Sequence, residues 1–173
     1  WGTEPTGGYG VILGYGAGEA STVDYTVMVG YRAGYLSTEN YLVAIGHSAG
    51  AANAGLHVTA IGTSAGSGNT STGDYLVALG SSAGRDNTGR DSVLIGSSAG
   101  YGNTGIETVA VGDSAGKGNI GNYSVLLGKN AGYLQSGAYV TAIGNAAGRD
   151  NTADYLIAVG GSAGNDNTGD YVM

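Results

Sequence analysis

A single unit of sixteen residues recurs along the whole chain, and no other feature restricts its fold so strongly. A glycine follows each short aliphatic run: Gly14, Gly30, Gly46, Gly62, Gly80, Gly96, Gly112, Gly128, Gly144 and Gly160. Successive members lie sixteen residues apart, except for eighteen between Gly62 and Gly80. The unit reads roughly Tyr-Leu-Val-Ala-Ile-Gly-x-Ser-Ala-Gly-x-x-Asn-Thr-Gly-Asp, as from Tyr75 to Gly84 and onward. A repeat this short cannot bury a hydrophobic face alone, but stacked copies can, which is the logic of a solenoid. The reading is an all-β chain, a parallel β-solenoid of ten turns. Residues 1–8 form a lead-in and 9–173 the repeat array. Ten turns at about 4.8 Å make a rod of roughly 50 Å.

Each column of the repeat has its own tolerance. Directly before the glycine stand Leu13, Val29, Ile45, Ile61, Leu79 and their equivalents; two residues earlier stand Val11, Val27, Val43, Thr59, Val77 and theirs. Side chains alternate along a strand, so these two columns share a face. They are mostly β-branched, which suits a pleated surface. They are expected to line the solenoid's own core. The column between them holds Ile12, Met28, Ala44, Ala60, Ala78, Leu94, Ala110, Leu126, Ala142 and Ala158. It is expected to point away from that core. An apolar strip over ten turns is too long to leave in water. A further copy of the chain is the expected cover, which makes this column the expected interface of a homotrimer.

Three residues after the glycine comes Ala in every unit, from Ala17 to Ala163, followed by Gly, from Gly18 to Gly164. These imply a narrow interior and a sharp bend. Two short strands per turn, closed at these glycines and at Asn-Thr-Gly, satisfy the pattern. Seven residues past the first glycine lies a column of Asn53, Asn69, Asn87, Asn103, Asn119, Asn151 and Asn167, with Ser21, Ser37 and Gln135 as exceptions. Amides stacked about 4.8 Å apart hydrogen-bond along the stack. A further column holds Tyr9, Tyr25, Tyr41, Tyr75, Tyr123, Tyr139, Tyr155 and Tyr171, replaced by His57, Asp91 and Glu107 in other turns. Stacking between turns accounts for it.

Composition narrows the function. Gly contributes 36 of 173 residues and Pro one, without the Gly period of three that collagen needs. Hydrophobic residues make up 42% and charged ones 11%, which excludes a disordered chain. The net charge is −7, and the six basic residues are scattered along the sequence, so no nucleic-acid footprint is expected. No apolar run approaches the length of a membrane-spanning helix, and no membrane contact is expected of this segment. With no Cys there is no disulfide framework. The chain opens on Trp1 and stops on Met173 inside a repeat, and is read as a piece of a longer fibre.

The units Val43-Ala44-Ile45-Gly46 and Val109-Ala110-Val111-Gly112, each followed by x-Ser-Ala-Gly, resemble the head repeats of trimeric autotransporter adhesins. The pattern from Gly96 to Thr104 resembles tail-fibre repeats found upstream of endosialidase-type chaperone domains in phages. The resemblance covers nearly the whole chain, although these turns are longer at the Asn-Thr-Gly bend. It implies a left-handed β-roll, three parallel chains, and display outside the cell on a bacterial or virion surface.

Motifs with a chemical meaning elsewhere are weighed against this frame. Gly-x-Ser-x-Gly occurs six times, as in Gly46–Gly50, but a nucleophile elbow needs a strand-turn-helix and a His–acid pair. No enzyme and no cofactor are expected. Pairs such as Asp86 with Asp91, Asp150 with Asp154, and Asp166 with Asp170 offer few oxygens per turn for calcium and read as solvated loops. The Thr column (Thr22, Thr38, Thr70, Thr88, Thr104, Thr152, Thr168) would suit an ice surface but lies at a bend and is broken by Ala54, Ile120 and Ser136. Tyr15, Tyr31, Tyr35 and Leu36 fall close together by register and form a candidate patch for a host glycan or protein. The expected function is a structural or adhesive segment of a trimeric surface fibre. The alternatives are a carbohydrate-binding module and an ice-binding solenoid.

Overall fold

A computed structural model describes residues 8–70 and 73–170. Tyr171, Ser71 and most of the expected lead-in lie outside the described residues. Among the described residues the chain is a parallel β-solenoid with ten strands, β1 (Gly10–Leu13), β2 (Thr26–Val29), β3 (Leu42–Ile45), β4 (Val58–Ile61), β5 (Leu76–Leu79), β6 (Ser92–Ile95), β7 (Thr108–Val111), β8 (Ser124–Leu127), β9 (Thr141–Ile143) and β10 (Ile157–Val159). They form one parallel sheet in chain order. Ten strands so arranged enclose nine complete turns, one fewer than the count of repeat units implies. Partners lie sixteen residues apart, as Val43 with Thr59, and eighteen apart across the insertion, as Thr59 with Val77.

Each turn carries one strand, not the two expected. The remainder is a run of tight turns in which alternate residues take left-handed backbone angles. In the third turn these are Ser48 (φ 53°), Gly50 (58°) and Ala52 (52°). The N–H groups of these alternate residues bond by turns to the rung behind and the rung ahead, while those between, such as Ala49 N to Gly46 O, bond within their own turn. Ser48 N donates to Tyr31 O at 2.8 Å, Gly50 N to Ala65 O at 2.8 Å, and Ala52 N to Tyr35 O at 2.7 Å. The turn segment therefore satisfies its backbone groups from rung to rung, as the strand does, without being a strand.

The glycine after each strand needs its lack of a side chain. Its φ lies between 126° and 137° in all ten repeats, a region closed to L side chains. A Cβ at Gly80 would sit 2.5 Å from the carbonyl oxygen of Gly96 on the next rung.

The core reverses the expected facing of the strand. Ala44, Ala60, Ala78, Leu94, Ala110, Leu126 and Ala142, with Met28, are fully buried inside the single chain. Ala158 is buried too, while Ile12, on the end rung, is 37% exposed. The expected interface column thus lines the chain's own core. It shares that interior with the residues two positions earlier (Leu42, Val58, Leu76, Ser92, Thr108, Ser124, Val140, Leu156) and with the Ala column. The Val and Ile columns point outward, with Ile45 at 37% and Ile61 at 39% exposure.

The physical reason lies in volume. Where the first inward position is large, the second is Ala: Leu42 with Ala44, Val58 with Ala60, Leu76 with Ala78, Val140 with Ala142, Leu156 with Ala158. Where the first is small, the second is large: Thr26 with Met28, Ser92 with Leu94, Ser124 with Leu126. Thr108 with Ala110 is the exception, both small, so the interior takes at most about one large side chain per rung. A Cβ at Gly84 would lie 3.1 Å from Ala78 Cβ and 3.3 Å from Leu76 and Leu94 methyls, so the opposite wall has no slack. Val-x-Ile on every rung would overfill this space.

Candidate functional site

The outward side of the sheet is one broad surface. Alternation places four ranks on it: the Tyr column, the two aliphatic columns, and the residues after the turn glycine (Tyr15, Tyr31, His47, Thr63, Ser81, Ser97, Asp113, Lys129, Asn145). Ten rungs at about 4.8 Å and six residues at about 3.3 Å give it an extent of roughly 900 Å².

Its aromatic edge is a ladder. Tyr9, Tyr25, Tyr41, His57 and Tyr75 stack in sequence with centroids 5.3, 5.2, 4.8 and 4.8 Å apart. Asp91 and Glu107 interrupt it. A second run joins Tyr123, Tyr139 and Tyr155 at 4.8 and 5.0 Å. The expected stacking is present, and it sits on a costly backbone: Tyr25, Tyr41, Tyr75 and Tyr123 have φ of 53–63°. Bulky residues seldom take this conformation, at about 1–3 kcal/mol each. Stacking, about 0.5–1.5 kcal/mol per pair, offsets part of it.

The candidate patch is partly assembled. Tyr15 stacks on Tyr31 at 5.6 Å, and Tyr31 on His47 at 5.0 Å. Arg32 lies 5.6 Å from the Tyr31 centroid and 5.0 Å from that of Tyr35. Leu36 is exposed beside them. The Tyr31 ring therefore has neighbours on its faces and presents its edge and hydroxyl to solvent. Tyr15, on the end rung, stacks on one side against Tyr31 and is 75% exposed.

The corner columns are structural ladders. Asn69 Nδ2 donates to Asn53 Oδ1 at 2.8 Å, Asn87 to Asn69 at 3.2 Å, Asn103 to Asn87 at 2.9 Å and Asn119 to Asn103 at 2.8 Å. Each amide also bonds the backbone near its own corner, as Asn53 Nδ2 does to Gly55 O at 2.8 Å. Gln135 breaks the file. Its Nε2 reaches Gly137 O, and its Oε1 is buried without a partner. The ladder resumes from Asn167 to Asn151 at 3.3 Å.

The loop acids have backbone partners. Asp74 Oδ1 accepts the N–H of Leu56 at 2.8 Å, Asp154 that of Ala138 at 2.6 Å and Asp170 that of Asp154 at 3.0 Å. Asp86 and Asp150 pair with Arg85 and Arg149 at 3.6 and 3.0 Å. Among the described residues, no three His, Asp or Glu side chains gather as a metal-binding group would.

The serines of the Gly-x-Ser-x-Gly units take φ of 53–57° in the turn run. Among the described residues Ser114 Oγ donates to Asp113 at 3.1 Å, and the bond that joins one of these serines to a histidine is a backbone one, from Ser64 N to His47 O at 2.8 Å. The Thr column stands at the Asn corner, away from the sheet.

Sequence reading missed one grouping. The basic residues, scattered along the chain, are not all scattered in space: Arg85, Lys117 and Arg149 share one column. Rows of sixteen residues, shifted by two after Gly66, would have exposed it. No family model, no curated protein and no solved structure matches this chain.

Proposed function

We propose that this chain is a non-catalytic structural or adhesive segment of a trimeric surface fibre, exposed outside the cell or on a virion. Three copies run parallel, and each forms a left-handed coil. One observation carries the reading: the two outward aliphatic columns run over ten rungs, broken only by Thr59 and Thr141, and remain partly in water in a single chain. The extent of the outward face, roughly 900 Å², matches the ~800 Å² per partner that a stable interface takes. The resemblance of the repeats to adhesin heads and phage tail fibres supports the same reading. The interface is then the Val27, Val43, Val77 and Val93 column with Ile45, Ile61, Leu79 and Ile95, in place of the Ala column now found inside.

Light scattering on the purified chain tests the assembly. A mass three times the 16.9 kDa of one chain is the expected result. A monodisperse monomer at high concentration overturns the trimer.

A further inference from the structure

Arg85, Tyr101, Lys117, Tyr133 and Arg149 occupy one file on five consecutive rungs, cation and ring in alternation. Backbone bonds lock this register. Gly102 N donates to Arg85 O at 2.9 Å, Gly118 N to Tyr101 O at 2.8 Å, Leu134 N to Lys117 O at 2.9 Å and Asp150 N to Tyr133 O at 2.9 Å. The Arg85 guanidinium lies 5.6 Å from the Tyr101 centroid, and Lys117 Nζ 5.4 Å from it. Arg149 lies 5.5 Å from the Tyr133 centroid. The rings act as spacers that hold the cations at fixed height.

Rungs are about 4.8 Å apart, so the three cations stand ~10 Å apart over ~20 Å. Arg85 and Arg149 meet Asp86 and Asp150 through Nε, which leaves the terminal amino groups of each fork as free-standing donors. Lys117 makes no ion pair among the described residues. Asp86, Asp150 and Asp166 lie beside the two ends of the file, Asp166 N bonding Arg149 O at 3.0 Å, so the unpaired positive charge is at its centre, on Lys117.

We infer that this file binds a linear acidic polysaccharide that carries one anionic group per disaccharide. Two extended pyranose rings span about the same ~10 Å as two rungs, so successive carboxylates meet Arg85, Lys117 and Arg149 in turn. The Tyr101 and Tyr133 hydroxyls face the uncharged sugars between them. Nucleic acid fits poorly, because its phosphates recur every ~3.4 Å along each strand. The overall negative charge repels any polyanion at long range, but salt screens that repulsion beyond about 8 Å. Single contacts are weak, and affinity grows with the number of rungs engaged. This inference stands apart from the fibre reading and holds for a monomer or a trimer.

Hyaluronan oligosaccharides are the probe, titrated into the intact chain at low and at physiological salt, with neutral dextran and single-stranded DNA as comparisons. Hyaluronan binding that weakens as salt rises is expected. The double variant Lys117→Gln, Arg149→Gln should lose it by roughly tenfold or more while keeping its circular dichroism and melting temperature, and Lys117→Arg should retain it. No binding to hyaluronan, equal binding to dextran or DNA, or unchanged binding by the folded double variant would overturn the inference.

Discussion

Leu76 and Val77 are neighbours in one strand and meet opposite demands. Leu76 faces inward, is fully buried, and packs with Ala78 against a wall with no spare volume. Val77 faces outward and is half-exposed, beside Leu79 and beneath the Tyr ladder. The inner positions covary in size, with at most one large residue per rung; the rung of Thr108 and Ala110 carries none. The outer positions do not: Val or Thr, then Ile, Leu or Val, recur with little regard to their neighbours. The inner face is a filled volume and the outer face a repeated surface. Volume demands compensation within a rung. A surface demands only that each rung resemble the next, which is what a long interface requires.

Exchange of sizes on the inner face should produce the largest effect. Ala78→Leu alone adds volume to a full rung and should cost about 1–3 kcal/mol or more. Leu76→Ser alone opens a cavity at a cost of about 2–5 kcal/mol. The double variant reproduces the Ser92 and Leu94 arrangement one rung on and should recover most of the loss. Denaturant melts measure the cycle. Additive losses would break the account of the core.

A smaller effect, of opposite sign, is expected at the inner corner. Gln135 leaves a carbonyl oxygen buried without a partner and splits the amide ladder between Asn119 and Asn151. Gln135→Asn removes the orphan and restores the file, and should raise stability by about 1–3 kcal/mol in the same melts. A neutral or destabilising result would show that the ladder contributes little.

The repeat, the position of each strand, the amide ladder and the stacked Tyr column are legible in the sequence, because each is a periodic choice that recurs at one spacing. The facing of the strand is harder. With apolar residues at four consecutive positions, such as Leu42 to Ile45, alternation alone gives no orientation. The preference of β-branched residues for strands marks Val43 and Ile45 as strand residues but not as inner ones. The deciding signal is the size exchange between Leu76 with Ala78 and Ser92 with Leu94, visible only when columns are compared in pairs. The missing second strand has a different cause. Its left-handed positions carry Ser48, Ala52, Arg32 and Leu36 as well as glycine, residues with no common preference for that conformation. Inter-rung hydrogen bonding imposes it, and composition does not announce it.

The central claim is the facing of the strand, and a matched pair of substitutions in β5 tests it most directly. Val77→Lys and Ala78→Lys place the same charge one residue apart, and each variant is examined by circular dichroism, melting temperature and light scattering. The account predicts that Val77→Lys folds, melts cooperatively and loses self-association, whereas Ala78→Lys fails to fold, because a lysine there is buried without a partner. A folded Ala78→Lys that merely dissociates, beside an unfolded Val77→Lys, would contradict it and return the Ala column to the outside of the coil.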